Sequence, residues 1–222
     1  MFHLPQILTS AEVQELRELG KRAPWVDGRA TAGGSAAQQK RNQQVDETTD
    51  IGRAIGASVM RALQRNVVFA AAAVPSRVSQ PMMNRYAPGM EYGPHVDNSL
   101  MGGNEPLRTD MSGTLFLSEP TDYDGGELIV DSPGGSQSVK LPPGDLFLYP
   151  STRVHYVVPV TRGERIGVVF WIQSLVRDPE QRSLLFEVSQ ALSVLQQERG
   201  QTPEIIRLTG CYHRLVQMWA QP

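Results

Sequence analysis

The stretch VHYVVPVTRGERIGVVFWI, residues 154–172, decides the fold class. Two runs rich in β-branched and aromatic residues, Val154–Val158 and Arg165–Ile172, flank a segment with turn chemistry, the pattern of short strands rather than a helix. Thr161-Arg162-Gly163 suits a three-residue hairpin loop with Gly163 in the left-handed position. The expected register pairs Pro159 with Arg165, Val157 with Gly167 and His155 with Val169, which puts His155 and Arg165 on one face. At the rise of a strand they would stand roughly 13 Å apart. A two-residue turn would send them to opposite faces, so the three-residue loop is a requirement of this reading.

Upstream, the same texture recurs in Gln80–Tyr86, Ser112–Leu117, Glu127–Val130 and Asp145–Tyr149, each bounded by Gly, Pro or Asp. Several short strands with turns between them predict a β-sandwich or barrel rather than a parallel α/β sheet. His95 and Asp97 are one residue apart, and alternate residues of a strand point to one side. With His155 they make two imidazoles and one carboxylate, the facial triad of non-haem Fe(II) centres, which leaves three coordination positions open. Iron so ligated keeps a net positive charge and suits an anionic chelator. Arg165, permanently charged and forked, can grip the far carboxylate of such a chelator, and a five-carbon dicarboxylate plus the arginine side chain fills the gap. The other two histidines, His3 near the terminus and His213 in a helical stretch, stand apart from this pattern.

The flanks read as helical. Thr9-Ser10-Ala11-Glu12 is a capping box, followed by Val13, Leu16 and Leu19 at helical spacing, with Gly20 as the stop. Asp27 to Gln44 is rich in Gly, Ala and Gln and reads as a loop, a candidate lid carrying Lys40, Arg41 and Asn42. Ile51 to Phe69 returns to helical spacing, and Asp178 onward is helical to Gly200. Thr202-Pro203-Glu204 opens a last helix whose stripe Ile205, Leu208, Tyr212, Leu215 and Trp219 is read as packing on the sandwich, with a homodimer contact as the second reading. The expected organisation is a helical segment and loop over 1–77, a β domain over 78–176 and a helical segment over 177–222.

Hydrophobic residues at 40% and charged residues at 20% fit a soluble globular chain with an ample core. A formal net charge of −2 gives no electrostatic case for nucleic acid or an anionic membrane. Cys211 is the single cysteine, which excludes an intrachain disulfide and fits a reducing compartment. The N-terminus has no basic region followed by a long apolar run, and the apolar stretch around Val67 to Val74 is too short for a bilayer. A cytoplasmic location is therefore expected.

The run Asn84-Arg85-Tyr86-Ala87-Pro88-Gly89-Met90-Glu91-Tyr92-Gly93-Pro94-His95-Val96-Asp97 resembles the ligand-bearing strand of prolyl-4-hydroxylase-like 2-oxoglutarate dioxygenases. Gly125-Gly126-Glu127-Leu128, Pro143-Gly144-Asp145-Leu146 and Val168–Ser174 look like further signatures, and the nearest resemblance is to bacterial PKHD-type hydroxylases, almost end to end. The resemblance implies a mainly β (α+β) fold with a double-stranded β-helix (jelly-roll) core and flanking helices. It implies Fe(II), the co-substrate 2-oxoglutarate, O2 and the reductant L-ascorbate, with C–H hydroxylation and succinate and CO2 as co-products. By the motif His95, Asp97 and His155 would bind iron and Arg165 the distal carboxylate of 2-oxoglutarate. Tyr86 matches a tyrosine that often bonds 2-oxoglutarate in the wider group, or is an ordinary core aromatic. Gly167 stands where many relatives carry serine. Tyr92 and Trp171 are expected to pack around the iron, and Met83 and Asn84 to line the mouth. The primary substrate is not legible: peptidyl and small-molecule targets both fit, including a siderophore-related one. Two other classes compete, a non-catalytic iron sensor on the same barrel and a cupin-type metalloenzyme independent of 2-oxoglutarate.

Overall fold

Strand-period alternation between residues 78 and 174 builds the centre of two facing antiparallel sheets, to which short strands from residues 2–78 add. The computed structural model describes residues 1–31, 33–102 and 105–221. Its strands are β1 Phe2–Leu4, β2 Trp25–Asp27, β3 Lys40–Arg41, β4 Gln43–Val45, β5 Pro75–Val78, β6 Met82–Tyr86, β7 Glu91–His95 and β8 Leu100–Met101. The chain continues with β9 Leu107–Arg108, β10 Met111–Phe116, β11 Leu128–Val130, β12 Gln137–Val139, β13 Leu146–Pro150, β14 His155–Val157 and β15 Arg165–Ser174. The helices are α1 Ser10–Arg22, α2 Gly34–Gln39, α3 Asp50–Arg65, α4 Val67–Ala73, α5 Pro179–Arg199 and α6 Pro203–Trp219.

The major sheet runs β1-β13-β10-β15-β6-β4-β2, with β5 also on β15, and the minor sheet runs β12-β11-β14-β7-β3. This is the jelly-roll expected, with helices on the outer side of the major sheet. Alternation along the central strands gives that sheet two apolar faces. Met83, Leu115, Leu148 and Phe170 pack with Leu16, Ile55, Val59 and Phe69 in one core, while Tyr86, Phe116, Phe147, Tyr149 and Val157 fill a second. Gly113 is where β10 lets the Phe170 ring in, since a Cβ there would lie 2.7 Å from the ring. Gly113→Ala is therefore expected to overpack this contact and cost about 1–3 kcal/mol, read from the midpoint of urea unfolding.

Several local expectations hold. The Thr9–Glu12 capping box forms, with Thr9 N donating to Glu12 Oε2 at 2.9 Å and Glu12 N donating to Thr9 Oγ1 at 3.3 Å. Thr202 caps α6 and α5 runs from Pro179 to Arg199 as expected, and the structure adds that Asp178 caps α5 by accepting from Glu180 N and Gln181 N. Others are corrected. The helix predicted over Ile51–Phe69 is two, because Asn66 ends α3 and its side chain caps α4 by accepting from Phe69 N. Gly20 does not stop α1, which runs to Arg22, and instead sits against the Met83 sulfur. The α6 stripe packs chiefly along α5 rather than on the sandwich; Ile205 is buried and Leu208 is exposed.

The hairpin register predicted for residues 155–169 does not form. β14 lies in the minor sheet, with His155 paired to His95 and Val130, and β15 lies in the major sheet, where Val169 pairs with Met82 and Thr114. Pro159 has no N–H to offer a ladder. The segment between the strands bonds elsewhere: Val160 N donates to Met90 O, Thr161 N to Asp124 O and Asp124 N to Arg162 O. Gly163 is left-handed as expected (φ 71°), but in a crossover between sheets, where a Cβ would collide with the Asp122 carbonyl.

The stretch Asp27 to Gln44 is not a plain loop. Gly28–Thr31 forms a 3-10 turn, α2 follows, and β2 pairs back on β4 (Trp25 with Val45, Asp27 with Gln43). Ala32 of that stretch lies outside the described residues. The strand β3 then joins the minor sheet through Lys40 and Tyr92 while β4 joins the major one through Gln44 and Asn84, so the segment bridges the two sheets. No helix of the described residues is long and apolar enough to cross a membrane.

Candidate metal centre

His95 ends β7 and His155 begins β14, and the ladder sets them opposite each other with ring centroids 4.2 Å apart. Asp97 lies two residues beyond, its backbone N donating to Ser151 O. One ligand atom from each of His95, Asp97 and His155 lies within 4.8 Å of the others. Each imidazole has Nδ1 against a carbonyl, Gly93 O at 2.8 Å for His95 and Arg153 O at 2.9 Å for His155. A carbonyl only accepts, so the proton sits on Nδ1 and the lone pair of Nε2 is free to ligate. Both Nε2 atoms point toward the carboxylate, 4.0 Å from Asp97 Oδ1 for His95 and 3.7 Å from Oδ2 for His155. Burial, and then the neighbouring His155, holds His95 well below its ordinary pKa, hence neutral at pH 7. Tyr92 stacks on His95 at 3.6 Å, and Tyr149 meets the His155 ring edge-on at 4.9 Å, which fixes both ring planes.

Ser112 belongs to the site without being part of any motif in the sequence. It donates from Oγ to Asp97 Oδ2 at 2.5 Å and contacts Ser151 Oγ at 2.7 Å, both serines buried. Alternation along β10 is the signal that could have found it, since it aims Ser112 and Thr114 away from Met111 and Leu115. Pinning Oδ2 leaves Oδ1 for a metal. Ser112→Ala is expected to weaken divalent metal binding by about 10-fold, measured by Co(II) titration with the far-UV spectrum unchanged.

Arg165, the first residue of β15, is 2% exposed and pairs with Tyr86 of β6. Its guanidinium carbon stands 5.2 Å from the Tyr86 ring and 5.4 Å from that of Phe116, and its buried Nε has no hydrogen-bond partner among the described residues. His155 and Arg165 thus face one cavity from opposite sheets, rather than lying along one strand face as the hairpin register required. The cavity, of about 80 Å³, is also lined by Tyr86, Asn84 and Trp171. Met83, expected at the mouth, faces the helices instead, because alternation sends it to the opposite side from Asn84. An outer groove of about 730 Å³ shares Thr31, Asn98, Met101 and Trp171 with the cavity.

Lys40, read from the sequence as part of a lid, lines this cavity and is 6% exposed. Its Nζ donates to Thr31 Oγ1 at 3.1 Å and stands 5.2 Å from the Tyr92 ring centre. Burial pulls its pKa down to about 8 against the attraction of Asp97 and Asp27.

The donor chemistry fits a ferrous ion beside a dicarboxylate: two neutral imidazole nitrogens and a carboxylate converge, and a buried guanidinium with an orphaned N–H shares their cavity. Comparison with known proteins agrees. Residues 81–173 match the 2OG-Fe(II) oxygenase superfamily and residues 179–221 the PKHD-type hydroxylase C-terminal domain. The chain is 49% identical, over 99% of both lengths, to a PKHD-type hydroxylase of Herminiimonas arsenicoxydans. In fold it is similar to a prolyl hydroxylase of Trichoplax adhaerens solved with a hypoxia inducible factor peptide (TM-score 0.56, 17% identity, 82% of this chain and 86% of that one). It is also similar to the viral collagen prolyl hydroxylase of Paramecium Bursaria Chlorella virus-1, solved as its 2OG complex (TM-score 0.54, 16% identity, 78% and 94%).

Proposed function

The chain belongs to the PKHD-type hydroxylase family of 2-oxoglutarate–Fe(II) oxygenases, and on that footing we propose that His95, Asp97 and His155 hold the iron while Arg165 and Tyr86 bind 2-oxoglutarate. When bound, ferrous iron with 2-oxoglutarate and O2 supplies the oxidising chemistry that turns a substrate C–H bond into an alcohol, with succinate and CO2 as co-products. The sensor and cupin readings fall away with this membership.

The chain's own residues do the rest. The Gly93 and Arg153 carbonyls keep the Nδ1 protons in place, so both Nε2 lone pairs stay aimed inward. Ser112 holds the Asp97 carboxylate by one oxygen. Arg165 orients the co-substrate by its distal carboxylate, and the buried Tyr86 phenol, whose pKa burial raises, keeps its proton and donates. Tyr149 and Val157 help keep water from the inner wall. The observation that carries the reading is the His-Asp-His cluster facing a buried, incompletely bonded arginine across one cavity.

Ascorbate is the expected reductant, a reading that rests on family resemblance. A cytoplasmic location is supported by the exposed free thiol of Cys211, and a homodimer through the C-terminal helices by exposed Val194, Ile206 and Met218. The three-part organisation, 1–77, 78–176 and 177–222, is supported by the two matched intervals, and its middle part carries every residue proposed to bind iron or 2-oxoglutarate.

Anaerobic titration of the metal-free protein with Fe(II) and 2-oxoglutarate tests the assignment. A visible iron-to-keto-acid charge-transfer band is expected, saturating at one equivalent of iron. Its absence from folded, metal-loaded protein would sink the reading.

A further inference from the structure

We propose that Lys40 selects a substrate carrying a single negative charge, a carboxylate or comparable oxyanion, and binds that group where the outer groove opens into the metal cavity. The inference rests on the iron and 2-oxoglutarate assignment above.

Lys40 is a buried cation that the mechanism does not use. Its neighbours orient it without neutralising it. Thr31 Oγ1 accepts from Nζ, and the Gln44 side-chain amide, turned so that its oxygen faces Lys40, is a second neutral acceptor at 3.1 Å. Among the described residues no carboxylate lies within ion-pair distance of Nζ: Asp97 and Asp27 attract it only from further away, and Asp27 is itself gripped by Arg29. A buried ammonium without a counter-charge is costly, so its place in a cavity wall points to a charge that arrives from outside.

The charge balance of the cavity says how large that charge is. Its charged lining side chains among the described residues are Lys40, Asp97 and Arg165. With ferrous iron and neutral histidines the cavity carries three net positive charges, and dianionic 2-oxoglutarate leaves one. The outer groove adds Glu47, Arg77 and Glu105, but the carboxylates acting on Lys40 are Asp97 and Asp27. At Lys40 a monoanionic group on the substrate therefore closes the balance of the inner cavity, and a cationic one would be repelled.

Position separates this role from that of Arg165. Arg165 enters from the major sheet beside Tyr86, whereas Lys40 enters from the edge of the minor sheet, on the strand paired with Tyr92. Thr31, its hydrogen-bond partner, lines both the inner cavity and the outer groove. A molecule entering through the groove therefore reaches Lys40 at the threshold of the cavity. Lysine also suits such a position. Its compact, strongly hydrated point charge accepts a range of oxyanion geometries, while the guanidinium fork of Arg165 is specialised for one planar carboxylate.

The probes are benzoate and its neutral counterpart benzamide, titrated calorimetrically into the anaerobic Fe(II)–2-oxoglutarate complex of the native protein and of Lys40→Met. The native complex is expected to bind benzoate about 10-fold or more tightly than benzamide. Lys40→Met, of similar length but uncharged, is expected to lose that preference while its affinity for 2-oxoglutarate stays within about threefold, inside the span of one weak contact. Equal binding of the two probes by native protein, no binding of either, or a preference surviving in Lys40→Met overturns the proposal. So does a loss of 2-oxoglutarate affinity in Lys40→Met as large as that in Arg165→Met, which would make Lys40 a co-substrate contact. The charge-transfer band reports separately on the foundation: without it in native protein, the iron assignment has failed rather than the role of Lys40.

Discussion

His95→Ala is expected to abolish the iron–2-oxoglutarate band and to leave no measurable succinate formation. The size of the effect follows from the ligand count. Four-ligand sites bind zinc with about 10–16 kcal/mol, so one ligand of three is worth roughly 3 kcal/mol and its loss weakens metal binding by two orders of magnitude or more. Among the described residues no further histidine, cysteine or carboxylate joins the cluster: the two other histidines, His3 and His213, are elsewhere, and His3 is already bonded to Asp145 at 2.7 Å. The fold should survive, because the β7–β14 pairing is carried by backbone atoms and the ring faces the cavity rather than either apolar core. Fe(II) affinity by competition with a chromophoric chelator, alongside far-UV circular dichroism, checks both halves. A folded variant with native iron affinity would remove His95 from the ligand set.

Arg165→Met is expected to move stability and binding in opposite directions. A buried guanidinium with an unbonded Nε, held between aromatic rings, is an unsatisfied charge until a dianion arrives. Replacing it by an apolar side chain of similar length removes that desolvation penalty, and exchanges of this kind stabilise by about 1–4 kcal/mol where they act. The metal-free variant should therefore melt higher than the native protein. The same change removes the paired, charge-assisted contact proposed for the co-substrate. At about 1.5–3 kcal/mol for each such hydrogen bond, 2-oxoglutarate should bind at least about 100-fold more weakly. Differential scanning calorimetry of the metal-free proteins and titration of the charge-transfer band read the two effects independently. Unchanged 2-oxoglutarate affinity would remove Arg165 from the co-substrate site, and a lower melting temperature would show that its aromatic contacts outweigh its burial cost.

The proposed ligand set was legible as a candidate because each of its elements is local or chemically rare. His95 and Asp97 are two residues apart and few histidines compete with them, although β7 ends at His95 and it is the Ser151 carbonyl and the Ser112 hydroxyl, not strand alternation, that hold Asp97. The helix caps at Thr9 and Thr202 were legible for the same reason, since a cap is decided within four residues. Met83 and Asn84 show where local reading stopped short. Period 2 separates them onto opposite faces, but which face met the cavity depended on the helices packing over β6.

The segment around Lys40 was opaque for a different reason. Gly, Ala and Gln carry no hydrophobic period, so β3 and β4 exist because two sheets offer edges to them, through Tyr92 and Asn84. Burial of Lys40 follows from that docking and from nothing in its neighbouring residues.

What the sequence alone determined is the chemical inventory: two histidines and an aspartate suited to a metal, one forked cation, a β core and capped flanking helices. What only the tertiary structure decided is how the inventory meets. His155 and Arg165 belong to different sheets, because each of their strands is central and takes its partners on both sides from elsewhere in the chain, β11 and β7 for one, β10 and β6 for the other. A hairpin between them would displace one of those ladders. Side-chain periodicity tells a strand which face is buried, but backbone hydrogen bonds are the same for every residue, so the choice of partner is settled only when the whole sandwich closes.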